Sequence, residues 1–419
     1  MKLRKFAVLL LLFISVLAQS SYASDVYDYE PTFSPYYSGS VKRTVLYDAL
    51  EELNYIRWLI GVPNNVTLND DYTRKAQHGA VLLDAIDTLT HTPSKPADME
   101  LSFYELGYDA TRHGNIAVAK MSSSSGTYGN ISLRYSTKLY MKDSDSQNIA
   151  EVGHRRWLMN PRMTQTGFGI STRNGYAVTY VIEDFTTSNQ TMTQEEYSRY
   201  LEWLKWPISD EFITWPTAKH LHPLSYFDAE TAWSVTLNRD VFGTASKAGV
   251  TVRLTRMRDG VTWTFSSSSS NGYFNVTDDG VAYDQCIVFR PDGVGSYTNG
   301  ELWTVEISGL PRKNGGVGSI SYQVQFTNTL TGYEEQAVYT DPGVNRDTPE
   351  KRYYQDNDYY YYYDEGRGDW VRKRKDDKKD FWDCNSGFGA VPAMLAVLIF
   401  GIPRRKSSMR WKINTFHRR

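Results

Sequence analysis

One stretch gathers most of the reactive side chains. Glu151-Val-Gly-His-Arg-Arg-Trp-Leu-Met-Asn-Pro161 holds an acid, a histidine, two arginines and a tryptophan within eleven positions. If one helix covers 148–160, Glu151 and His154 stand three apart and share a face, and Glu151 and Arg155 are spaced for an ion pair. Elsewhere, His91 follows a helical pattern and precedes Pro93, and Asp143 follows Tyr140-Met-Lys. His91, His154 and Asp143 would supply two imidazole nitrogens and one carboxylate oxygen. That set suits zinc or another divalent cation, with one position open to water. Glu151 is the candidate to orient His154 or to act as a base; the alternative is pairing with Arg155 or exposure to solvent. No Gly-x-Ser-x-Gly elbow and no His-Glu-x-x-His helix occurs, which favours binding over catalysis.

The elements that must position these groups can be read from periodicity. Leu46, Leu50, Leu53, Ile56 and Ile60 recur at three or four residues, predicting a helix over 45–60 that Gly61-Val-Pro63 stops. A second helix over 72–90 carries Ala76, Ala80, Leu83 and Ile86 on one side and delivers His91 at its C-terminal end, where the dipole favours a cation. A short helix is expected over 101–106, a turn at His113-Gly-Asn-Ile-Ala117, a loop over 122–126 and a helix over 131–141. The alternation Tyr176-Ala-Val-Thr-Tyr-Val-Ile182 reads as a strand. Helices mixed with strands point to an α/β or α+β sandwich. His78 and His113 have no matched partner and read as surface or packing residues. Arg156 and Trp157 read as structural.

The ordered set of motifs carries a resemblance. Leu53-Asn-Tyr-Ile-Arg57, Leu89-Thr-His-Thr-Pro93, His113-Gly-Asn-Ile-Ala117, Tyr140-Met-Lys-Asp143 and Val152-Gly-His-Arg-Arg-Trp-Leu-Met-Asn-Pro161 together resemble the bacterial extracellular branch of the CAP superfamily. That superfamily contains cysteine-rich secretory proteins, antigen 5 and plant pathogenesis-related proteins. The resemblance implies a CAP-type α-β-α sandwich over 44–185. It also implies a cleft lined by two histidines and two acids able to hold a divalent metal. His91 and His154 match the histidines and Asp143 one acid; the other acid's position is Gly114. The cleft implied for a ligand comprises His91, Asn115, Asp143, Glu151 and His154.

Length and composition frame the rest. A chain of 419 residues predicts two or three domains. The net charge of −2 argues against a nucleic-acid partner. Its two cysteines, Cys286 and Cys384, are placed too differently to suggest a disulfide framework. Lys2, Arg4 and Lys5 before an apolar run, with Ser21-Tyr-Ala23 after it, read as a signal peptide over 1–23. A linker with a short helix is expected over 186–223, broken by Trp206-Pro207, Trp215-Pro216 and His222-Pro223. His220 and His222 within it are a possible metal pair. From Trp233 the period changes to two, with turn signals at Asp259-Gly260 and Asn271-Gly272. This predicts a separate all-β sandwich over 224–345, folding independently.

The tail reads as a Tyr-rich charged stalk over 346–383, unlike a folding unit. An apolar segment before Arg404-Arg-Lys406 follows, expected to anchor the chain in a membrane with its basic end inside. Cys384-Asn-Ser-Gly, the apolar segment and the basic triplet, spanning 384–406, resemble a Synerg-CTERM-type sorting signal. The expectation is a secreted, cell-surface or membrane-anchored CAP-domain protein of a bacterial envelope, binding a lipid, glycan or peptide. The alternatives are a metal-assisted extracellular hydrolase and a structural surface adhesin.

Overall fold

Four short strands open the chain: β1 (Tyr27–Tyr29), β2 (Thr32–Phe33), β3 (Tyr36–Tyr37) and β4 (Ser40–Val41). The computed structural model describes residues 25–123, 126–182 and 194–329, with strands at 353–355, 359–364 and 369–374. Helix α1 (Arg43–Leu59) buries Leu46, Leu50, Leu53 and Ile56 on the stripe that their spacing defines. After β5 (Thr67–Leu68), Asn69 caps α2 (Asp70–Ile86) by accepting from the N–H groups of Asp71 and Tyr72. Asp87 ends that helix at φ 46°. Helix α3 is Leu101–His113, thirteen residues where a short helix over 101–106 was expected. It continues through Gly107 because a Cβ there would lie 2.9 Å from His78 O of α2, so this glycine serves close helix packing and not a stop.

Residues 113–117, expected as a turn, are the last residue of α3 and most of strand β6 (Gly114–Val118), and the expected loop over 122–126 falls in a hairpin, β7 (Lys120–Ser123) and β8 (Gly126–Gly129). Helices α4 (Leu133–Lys142) and α5 (Gly153–Met159) lead to β9 (Gln165–Ser171) and β10 (Tyr176–Tyr180). One sheet runs β5-β9-β10-β6, antiparallel except where β5 meets β9. On one face Tyr72, Ala76, Ala80 and Leu83 of α2 and Ala110 of α3 pack on Ile116 and Val178. Gly167 and Gly169 let β9 lie against the α2 backbone: added Cβ atoms would meet it at 2.2 Å. Tyr140 of α4 reaches the sheet by donating to Asn115 O at 3.1 Å.

Past α6 (Gln194–Trp203) come β11 (Phe212–Trp215), β12 (His222–Pro223), β13 (Trp233–Leu237), β14 (Thr251–Arg256), β15 (Thr262–Phe265), β16 (Gly272–Thr277), β17 (Gln285–Pro291), β18 (Leu302–Pro311) and β19 (Val317–Thr327). They form two sheets, β11-β13-β17-β16 and β12-β19-β18-β14-β15. Trp233 touches Trp303 and Phe326, and Phe265 touches Phe289, so aromatic rings fill the space between the sheets. The period-two reading located β13, β14, β15, β18 and β19.

Two expectations need correction. Residues 206–223 do not act as a plain linker: β11 pairs with β13 along its whole length, and Trp206, Trp215 and His222 are buried. Nor do the helical and two-sheet halves part into separate units, since the chain up to Thr331 forms one compact unit. All five residues of β13 are buried, and six of seven in β17. One face of these strands meets the aromatic core; Ala232, Cys286 and Val288 pack on Ile149 and Val152 of the helical half.

The second unit spans Gly332–Ser408. Within it β20 (Tyr353–Gln355), β21 (Tyr359–Asp364) and β22 (Asp369–Arg374) make an antiparallel sheet in that order, where no fold was expected. Tyrosine's preference for strands accounts for the difference. Residues 1–23, read as a signal peptide, and the 384–406 segment, read as an anchor, lie outside the described residues. No helix among the described residues is long and apolar enough to cross a membrane.

Candidate functional site: a histidine–aspartate pair between α4 and α5

Helix α4 ends at Asp143, which adopts φ 41°. The chain then turns through 144–151. Asp145 holds this turn by accepting from Asn148 Nδ2 at 2.7 Å. Val152 follows at φ 43° and ψ 48°, a left-handed conformation that costs a β-branched residue strain. Contacts with Ile149, Ala232, Cys286 and Val288 hold it there.

Helix α5 therefore starts at Gly153, five residues later than the sequence reading placed it. Glu151 lies outside the helix, so it shares no helical face with His154. The expected Glu151–Arg155 pair is not formed either. Arg155 donates instead to Met141 O at 2.7 Å, Lys142 O at 2.8 Å, Ala232 O at 2.8 Å and Ser234 Oγ at 3.1 Å. Burial lowers its guanidinium to about 10, offset in part by the charge of Asp143. Glu151 is itself buried, and its backbone carbonyl accepts from Arg156.

The turn brings Asp143 to His154. Asp143 Oδ1 lies 2.8 Å from His154 Nδ1, with the side chains 0% and 2% exposed. Asp143 Oδ2 accepts from Arg155 N at 3.0 Å. The imidazole stacks on Tyr140, centroids 5.3 Å apart and planes at 24°. Asn115 Nδ2 donates to His154 O at 2.9 Å, tying this corner to β6. A carboxylate only accepts, so Nδ1 carries a proton, and in the neutral ring Nε2 is the nitrogen that holds the lone pair. Nε2 is buried and has no hydrogen-bond partner among the described residues. A buried orphan of this kind costs about 1–3 kcal/mol.

His91 is not at a helix end, because α2 stops at Ile86. It sits half-buried in the following loop and donates from Nδ1 to Thr111 O at 2.6 Å. The three-donor metal set is thus corrected. Asp143 spends one oxygen on His154 Nδ1 and the other on Arg155 N, making it an orienting carboxylate and not a ligand beside Nε2. Among the described residues no group of three or more His, Cys, Asp or Glu side chains is arranged to hold a metal. A resident zinc does not fit this donor set. The second acid cannot be supplied at Gly114, where a Cβ would lie 2.6 Å from Ala110 O and 3.0 Å from Thr179 O.

Several supporting residues were missed, while Arg156, read as structural, is one of those that hold this corner. Arg57 of the Leu53-Asn-Tyr-Ile-Arg57 motif donates to Leu158 O at 2.9 Å and Asn160 O at 2.8 Å, fixing the far end of α5. Arg156 reaches Asp279 at 2.9 Å, and Arg162 pairs with Asp284 at 2.7 Å. Two consecutive arginines before Leu-Met-Asn-Pro were the only sequence signal for this seam. His113 is paired with Asp109 at 2.9 Å. Burial raises the Asp109 carboxyl, but hydrogen bonding and charge from His113 and Lys75 bring it down to about 2.

His220 and His222 do not form a metal pair. His220 stacks on Trp58 at 4.0 Å, while His222 lies among Trp215, Phe227 and Phe326. Cys286 is a free, buried thiol, and burial pushes its pKa up. No protein-family model, curated protein or solved structure matches the chain.

Proposed function

We propose that the chain is an exported, envelope-anchored protein of the CAP superfamily whose Asp143–His154 corner binds a ligand. In this reading the sheet flanked by α2, α3 and α4 is the CAP-type α-β-α sandwich, and the two facing sheets are its appended β-sandwich. The ordered motifs and the α4–α5 geometry support it. The observation that carries it is the pinned imidazole: Asp143 fixes His154, whose buried Nε2 has no hydrogen-bond partner among the described residues. Such an atom accepts a hydrogen bond from a hydroxyl or amide, a donor that lipid headgroups, glycans and peptides all carry. The metal-assisted hydrolase reading lacks its ligand set, and a purely structural adhesin leaves the orphaned nitrogen unexplained.

Nitrogen-15 histidine NMR tests the proposal. His154 should show the Nδ1–H tautomer, and its Nε2 signal should move on adding phospholipid vesicles, soluble peptidoglycan fragments or an unstructured peptide. No movement with any of the three defeats ligand binding at this corner. Zinc titration by calorimetry should give the same weak response in the wild type and in His154→Ala. Tight binding lost in that variant would restore the metal reading.

A further inference from the structure

The longest strand of the two-sheet half is open along most of one side. β19 has eleven residues and pairs with β18 from Val317 onward. On its other side β12 meets only Phe326 and Thr327. Residues 317–325 thus present a row of backbone donors and acceptors with no strand beside it among the described residues. At roughly 3.4 Å per residue the free edge is about 30 Å long. Its sequence, Val-Gly-Ser-Ile-Ser-Tyr-Gln-Val-Gln, has no charge and no proline. The register shift in this pair falls at Ser308/Leu310 on β18, so no bulge turns β19 away. Natural edges are blunted by such devices, and one without them is a template for another strand. Val317, at its start, is 75% exposed.

We propose that this edge pairs with the same edge of a second copy, β19 to β19 and antiparallel across a two-fold axis. The two five-stranded sheets would then join as one ten-stranded sheet. Self-pairing sets each residue against its own strand, so a single lysine or glutamate would repel its image. This edge has none. β12 blocks pairing beyond Gln325, and the register that uses the whole free edge is centred on Ser321. That register sets Val317 opposite Gln325 and Ser319 opposite Gln323, side chains that are all exposed in the single chain. β12 also blocks the simplest intramolecular alternative, because a return strand directly after Thr327 would need the positions that β12 holds.

Light scattering and hydrogen exchange on the purified chain test this. The expected result is a mass twice that of one chain, decreasing on dilution, with slow amide exchange over 317–325. Ser321→Lys with Gln323→Lys should give the single-chain mass and fast exchange there, with an unchanged circular dichroism spectrum and a Tm that no longer depends on concentration. Ser321→Thr should keep the double mass, showing that the lysines and not a disturbed strand act. A single-chain mass for the wild type at every concentration overturns the proposal, as does a double mass that the lysines leave intact. Slow exchange over 317–325 at single-chain mass also overturns it, and would assign the edge to another part of the same chain.

Discussion

Two buried imidazoles, His154 and His222, share an outward description. Both lie among the buried residues, and both have an Nε2 atom without a hydrogen-bond partner among the described residues. Their first nitrogens separate them. His154 Nδ1 faces the Asp143 carboxylate, so Nδ1 donates, and in the neutral ring Nε2 is an acceptor. His222 Nδ1 accepts from Thr217 N at 3.2 Å, so in the neutral ring Nε2 carries the proton and can only donate. Around His222 the neighbours are aromatic rings; burial, helped by the charge of Arg155, holds it at a pKa of about 3. The contrast shows that burial does not mark a site. The partner on the far nitrogen decides whether an imidazole offers a lone pair or serves as a packed ring.

Arg155 acts on both, tied by charge to Asp143 and to His222, and it donates to Ala232 O and to Ser234 Oγ of β13. Removing it should collapse the contrast. Arg155→Met leaves a buried carboxylate without its compensating charge and should cost about 3–5 kcal/mol in urea unfolding. A loss under about 1 kcal/mol would show that the seam between the halves does not depend on this side chain. Asp143→Asn should cost about 2 kcal/mol, the loss of hydrogen bonds to a charged acceptor. It should also abolish the preference of His154 for the Nδ1–H tautomer. An unchanged nitrogen spectrum would mean that the carboxylate does not set the tautomer.

His222 sharpens the comparison through pH. Its folded pKa is lowered from 6.5 to about 3, so the unfolded chain takes the proton first. The stability it contributes is complete above pH 6.5 and declines as pH falls toward 3, by about 1.4 kcal/mol per unit. His222→Asn keeps an acceptor for Thr217 and should lose that slope; equal slopes in both proteins refute the assignment. The smallest effect belongs to Asp109. Its folded pKa is depressed from 3.8 to about 2, so its contribution is present above about 4 and lost as pH falls through about 2. Asp109→Asn should flatten the Tm profile only in that acid window.

Much of this contrast was legible in part. The three-and-four spacing of Leu46 to Ile56 predicted α1, and period two predicted β13 and β18, because a buried stripe leaves a direct trace in sequence. Asp143 and His154 were both named as candidates, and the structure sets them 2.8 Å apart. Their arrangement was not legible, because the left-handed turns at Asp143 and Val152 move Glu151 off the helix and turn the carboxylate to Nδ1. The Val152 conformation is held by packing against Ala232 and against Cys286 and Val288 of β17, eighty or more residues away in the chain. The same cause hid the seam: a buried arginine reads like an exposed one until its acceptors are found. β11 was missed because Pro207 and Pro216 stand close to its ends, and short edge strands carry little periodic signal.

Gly114 has a consequence for the history open to this chain. The resemblance places a carboxylate there, yet any side chain would press on the last turn of α3 and on the Thr179 carbonyl of β10. No single codon change at 114 can therefore add that acid while the backbone stays as it is. A second carboxylate is reachable only after α3 and β10 have first moved apart. Descendants of this sequence that acquire a cation are constrained to recruit its ligands from other positions.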